Sequence, residues 1–411
     1  MQKEKLVPAI RFKGFEEEWT KEILKKIVTT FSGLTNVAKE DFSVGENYYV
    51  TYLNVFSNPM AKLNDLEKVN VHSKQNNLIK GDILVTGSSE TPEEVGMTSI
   101  WNYNLENVYL NSFCFGLRPK NLENINIDFS AYLFRSQSVR KQIILLAQGI
   151  SRFNISKNKF LEVFLTFPIY AEQQKIGQFF SNLGSLIRTQ ELKLKKLNEV
   201  KQSLLNKMFA SENQKFPEIR FKGFDEPWKL NKFSDLYNCN NEKNINIRYT
   251  EKNIISVANM YFKNEQKISN TEYLKSYNIF HLGDIAYEGH KSANYRYGRF
   301  VVNTIGSGIV SHVFEVFKPV MKEYDLYFWK YYINNENIMR NVLRDSTKSA
   351  TMMAALVKKD LSNQFIKTTS ILEQQKIGAF FSNLDSLISS QELKLEKLNN
   401  LKQALLEKMF C

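Results

Sequence analysis

The chain has 411 residues, 43% of them hydrophobic, with a net charge of +12 and an isoelectric point near 9.2. That length exceeds a single core, so two or more domains are expected, and no stretch of about 18 apolar residues offers a membrane span. The basic balance points to a polyanionic partner.

From the N-terminus, "MQKEKLVPAIRFKGF" lacks the apolar core of a signal peptide. Cys114, Cys239 and Cys411 are scattered and form no metal-spaced pair, so a reducing, cytoplasmic setting is expected. The strip "VPAIRFKGFEEEW" ends at Trp19 and leads into a variable segment that carries "IKGDILVTG" around Asp82. From Glu172 the chain reads "EQQKIGQFFSNLGSLIRTQELKLKKLNEVKQSLLNKMF". This stretch has no proline, and its apolar residues recur at helical spacing: Ile176, Phe180, Leu183, Ile187, Leu194, Leu197, Leu204 and Met208. Gln190 and Lys201 interrupt that seam.

The order then repeats. "FPEIRFKGFDEPW" ends at Trp228, a second variable segment carries "HLGDIAYEG" around Asp284, and a second helix begins at Glu373. The two helix copies agree at 29 of 38 positions, and the second seam is Ile377, Phe381, Leu384, Ile388, Leu395, Leu398, Leu405 and Met409. The polar breaks recur at Gln391 and Lys402. Matched seams, breaks included, predict helix-on-helix pairing, and an antiparallel arrangement places the variable domains at opposite ends of a rod. Phe179 and Phe380 lie beside the seam and are expected to seal it against a domain or a partner. The first helix copy carries seven basic and three acidic residues and the second five of each, which leaves most of the positive charge to the variable domains.

Together the two "EQQKIG…FFSNL…SLI" helices, the "IRFKGF…W" strips and the "GDIL"/"GDIA" turns resemble the specificity (S) subunit of bacterial type I restriction-modification systems, over essentially the whole chain. The resemblance implies an α+β fold with two target-recognition domains of mixed α/β structure. Two long helices forming an antiparallel coiled coil separate them, with a pseudo-two-fold internal repeat. The expected divisions are 1–171 and 212–372 for the domains, and 172–211 and 373–411 for the helices. It further implies a non-catalytic subunit in which each domain reads half of a bipartite, asymmetric DNA sequence while the rod sets the spacer. The implied partners are double-stranded DNA, two modification subunits that use S-adenosylmethionine to methylate adenine N6, and two restriction subunits that use ATP and Mg. No cofactor is implied for this chain. No four-residue tandem of the kind that sets spacer length in some relatives occurs in the helices.

Motifs for chemistry are absent. "SNPM" (Ser57 to Met60) lacks the second proline and the aromatic of an adenine methyltransferase loop, and "GSGIVSH" (Gly306 to His312) lacks the lysine of a phosphate-cradling loop. "ELK" at Glu191 to Lys193 reads as the solvated face of a helix, and the four histidines sit near no cysteine at ligand spacing. A protein-interaction scaffold whose charge reflects a lysine-rich proteome is the competing reading. Candidate base readers come from loops bearing Arg, Lys, Asn, Ser and Thr. In the first domain these are Thr86, Ser88 and Ser89 after the "GDIL" strand, and Ser151, Arg152 and Asn154 before the helix. In the second they are Asn259, Lys263, His290, Lys291, Asn294, Tyr295 and Arg296, then Arg344, Thr347 and Lys348 before the helix. The "TPEEVG" tip, with Glu93 and Glu94, would repel phosphate, so it either reads cytosine amino groups or faces away, and facing away is the expectation.

Overall fold

The computed structural model describes residues 6–263, 271–349 and 353–411. The fold is α+β, and the chain divides into two compact units: Met1–Glu191 with Leu393–Cys411, and Leu192–Glu392. Each long helix (Tyr170–Lys207 and Ile371–Lys408) contributes residues to both units.

The units share one frame. In the first, a four-stranded antiparallel sheet runs in the order 28–32, 114–119, 83–86, 98–100. In the second, the order is 237–239, 315–319, 285–288, 299–302. The "GDIL" and "GDIA" segments thus become the equivalent inner strands Ile83–Thr86 and Ile285–Glu288. Their preceding aspartates, Asp82 and Asp284, accept the backbone N–H groups of Ile79 and His281 at 2.9 Å and tie the turns. Asp82 also takes a two-pronged bond from Arg118 at 2.7 and 2.8 Å, whereas Asp284 faces Lys318 with no such fork, and burial pushes its carboxyl up to about 6. In each unit a short antiparallel pair, 20–23 with 164–167 and 229–232 with 365–368, joins the start of the unit to the strand before its long helix.

The repeated strips and helix starts are written twice because they hold each other. Arg11 donates through Nε and Nη2 to both oxygens of Glu172, each at 2.7 Å, and Arg220 does the same to Glu373 at 2.7 and 2.8 Å. Both glutamates are fully buried, so the forks compensate charges that would otherwise be costly to desolvate. Lys175 lies over Phe15 at 4.9 Å and Lys376 over Phe224 at 5.0 Å. Phe179 packs edge-on against Phe12 and Phe380 against Phe221, so both rings seal onto the "IRFKGF" strips.

Every seam residue is buried or half-buried. The seam is not spent on helix pairing alone, however. In the first unit Phe180 stacks on Tyr132 of the unit's own helix Ile127–Leu133, and Phe410, from the end of the second long helix, closes on Phe180, Phe129 and Trp19. In the second unit Phe209 takes that place against Phe381, Phe328, Tyr332 and Trp228. The run is antiparallel within a unit: Phe209 meets Phe381 while Lys201, two turns earlier, meets Asp385. Burying such a phenylalanine contributes about 1.5–3 kcal/mol. The strips finish the join, Ile10 N–H donating to Lys408 O and Ile219 N–H to Lys207 O.

Candidate nucleic-acid interface

In each unit the loop after the inner strand and the segment before the long helix, which sequence treats separately, lie side by side. In the first, Ser88–Ser89 pairs antiparallel with Phe153–Asn154, and Ile155 N–H donates to Gly87 O. The stretch after the "GDIL" strand and the segment before the long helix therefore lie side by side. Arg152 is exposed and its Nη2 donates to Ser88 Oγ at 3.2 Å; Ser151 and Asn154 are exposed beside it. Thr86 departs from expectation: it is fully buried and its hydroxyl donates to Met97 O, because it ends an inner strand, so no base edge reaches it. Ser88 and Ser89 are also buried, and Ser89 Oγ donates to Glu94. Arg140 grips the carbonyls of Glu93, Val95 and Gly96 and draws the "TPEEVG" backbone onto the helix Gln137–Leu146, and burial pushes its guanidinium down to about 10.

The second unit repeats the arrangement with different side chains. Ala354 N–H donates to Gly289 O, and His290 bridges Met353, so the hairpin strands 347–349 and 354–356 lie against the loop after the "GDIA" strand. Lys291, Arg296 and Thr347 come together with Tyr297 and Ala354 around a cavity of about 250 Å³. Asn259, Asn294 and Tyr295 line a separate groove of about 840 Å³, with Arg299, Lys330, Arg340 and Lys201. His290, Asn294 and Arg296 are exposed, as is Lys348. Other candidates are committed elsewhere. Tyr295 OH donates to Asn334 and its ring lies under Arg299 at 4.8 Å. Thr347 Oγ1 donates to Leu343 O, and Arg344 forks onto Asp345. Lys263 is half-buried, its N–H bonded to Ile254 O.

Sequence reading missed the wall of the groove. Asp385 accepts from Lys201 Nζ at 2.5 Å, Tyr331 OH at 2.6 Å and Lys330 Nζ at 3.2 Å, which joins the long helices to the helix Leu326–Tyr332. The signal was available: position 385 is aspartate where the first helix copy has Gly184. Among the described residues no cluster of His, Cys, Asp and Glu could hold a metal, and no helix is long and apolar enough to cross a membrane.

Two units on one frame with unlike loop surfaces make a paired architecture. Residues 16–202 match the type I restriction modification DNA specificity domain. The MjaX type I restriction enzyme specificity subunit of Methanocaldococcus jannaschii is 26% identical over 225 residues, covering 52% of this chain and 51% of that one. The chain thus spans about half the length of the curated relative it matches. The crystal structure of a type I restriction-modification S subunit from M. genitalium superimposes with a TM-score of 0.58 at 14% identity, covering 98% and 99% of the two chains. A chain from a structure of type I R-M complex assembly and conformational transition gives a TM-score of 0.55 at 16% identity, covering 94% and 96%. The similarity in sequence thus lies with specificity domains and falls mainly in the first unit, while the fold is that of the S-subunit structures along nearly the whole chain.

Proposed function

We propose that this chain is the non-catalytic DNA sequence-recognition subunit of a type I restriction-modification complex. Each unit reads one half of a bipartite, asymmetric target. The loop-and-hairpin surfaces are the readers, with Arg152 and Asn154 foremost in the first unit and His290, Asn294, Arg296 and Lys348 in the second. The observation that supports this reading is the pairing of a shared frame with unlike reader loops, as two independent half-sites require. The long helices set the gap between halves and dock two modification subunits, which bring S-adenosylmethionine. Restriction subunits with ATP and Mg complete the assembly, in the cytoplasm.

The test is methylation mapping. Co-expression with the modification subunit should yield N6-methyladenine within a two-part motif with an unspecific gap. Replacing residues 20–169 with the corresponding segment of a relative should change one half of the motif and leave the other half and the gap intact. A change in both halves, or methylation by this chain alone, would sink the reading.

A further inference from the structure

The internal repeat lets one unit serve as the control for the other. Asn126 and Asp325 both cap a helix by accepting the N–H three residues on, from Phe129 and Phe328 at 2.9 and 2.7 Å. Tyr132 therefore corresponds to Tyr331, and Ala131 to Lys330. Along the long helices Gly184 corresponds to Asp385, and Lys402 to Lys201. The geometry agrees, since each lysine Nζ stands 5.9 Å from the centroid of its tyrosine ring.

The contents of the two places differ. In the second unit Lys201, Lys330 and Tyr331 converge on the Asp385 carboxylate. In the first unit Gly184 brings no carboxylate, and an added Cβ would meet one group, the Tyr132 hydroxyl, at a tight 3.2 Å that the ring must relax by a few tenths of an ångström. Lacking a carboxylate, Tyr132 OH donates instead to Phe180 O at 3.0 Å. Lys402 is half-buried, and no ion pair engages it among the described residues. Burial first, and Arg135 second, lower its pKa, with Glu191 opposing through space. Arg135 itself is spent on the carbonyls of Thr98, Val55, Phe56 and Asn58 and brings no counter-charge.

We infer that the Gly184–Lys402–Tyr132 notch seats a phosphate of the DNA backbone, and that the second unit fills the same notch with its own Asp385. A phosphodiester presents anionic oxygens where Asp385 presents its own, so it offers Lys402 the missing charge and Tyr132 an anionic acceptor in exchange for Phe180 O. DNA is the favoured source because the equivalent place in the second unit is the wall of the groove lined by Asn259 and Asn294. The positions matching that wall's Gln202 and Arg340 are the exposed Gln403 and Lys141, which add a cation and no acid. The inference rests on the DNA-recognition reading, and the two half-sites would then be held unequally.

The experiment compares the full chain, assembled with its modification subunit, as wild type, Gly184→Asp and Asp385→Gly. Affinity for duplexes bearing the mapped motif or a scrambled one is measured against salt. Gly184→Asp should reduce the log–log salt slope by about one and weaken both duplexes alike. Asp385→Gly should steepen the slope by about one by opening a second seat. Thermal unfolding of each complex checks that the variants remain folded, and Gly184→Asp, which pairs Lys402, is expected to be no less stable. Specific binding with an unchanged slope for Gly184→Asp overturns the seat and leaves DNA recognition standing. Loss of modification-subunit assembly with an unchanged slope would assign the notch to a protein carboxylate, and also overturns it. Absence of DNA binding by the wild type overturns both.

Discussion

Replacing Asp385 with alanine tests how the second unit is held to its helices. Three donors lose their acceptor: Lys201 Nζ at 2.5 Å, Tyr331 OH at 2.6 Å and Lys330 Nζ at 3.2 Å. A hydrogen bond to a charged group contributes about 1.5–3 kcal/mol. The lysine side chains are 27% and 38% exposed and recover water, and alanine gains up to about 0.7 kcal/mol of helix propensity over aspartate. The net loss should be about 2 kcal/mol, which for a unit of this size lowers Tm by roughly 4–8 °C. Hydrogen exchange should rise in the helix Leu326–Tyr332. The sign with pH is fixed by chemistry. Burial opposes ionisation of Asp385, but Lys201, Tyr331 and Lys330 outweigh it and hold the carboxyl below its ordinary value. Its contribution is therefore present above pH 3.8 and lost as pH falls through the lower folded value. The gap between wild type and variant should close on acidification. A variant as stable as wild type at pH 7, or a gap that persists when the carboxyl is protonated, would refute the reasoning. So would a Lys201→Met, Asp385→Ala double variant whose cost equals the sum of the singles, since the paired groups should couple.

Arg11→Ala and Arg220→Ala should each cost about 3–5 kcal/mol in denaturant unfolding, because Glu172 and Glu373 are left buried and unpaired; lysine should rescue poorly because it cannot form the fork. Asp284, with its folded pKa raised to about 6, gives stability that is complete below its ordinary 3.8 and lost as pH rises through 6. Asp284→Asn keeps an acceptor for His281 N–H, so it should stabilise the chain by about 1–3 kcal/mol at pH 8 and hardly at all at pH 4, as followed by thermal melts. Arg296→Ala should relax one position of the second half-site by about 1–3 kcal/mol in competition binding, and equal weakening on all DNA would make Arg296 a phosphate contact instead.

The repeat, the two long helices, the equivalence of the "GDIL" and "GDIA" strands and the residues of the seam can all be read from the string of residues. Each of these is carried by periodicity or by a local string, and local physics reads such signals without knowing the fold. Phe180 and Phe381 recur at helical spacing whatever they pack against. What covers them is set by the folded chain: Tyr132 and Phe410 in one unit, Tyr331 and Phe209 in the other. It also decided which loop residues can reach a ligand. Thr86 and Arg152 are equally plausible readers as letters, yet one ends an inner strand and is buried while the other stands on an exposed hairpin. The fork from Arg11 to Glu172 joins residues 161 apart, and no local pattern reports a partner at that distance. Burial and partnership of this kind depend on which distant segments the sheet and the helices bring together. That is why the frame was legible in the string, while the reader surface and the notch beside Gly184 became visible only once the chain was folded.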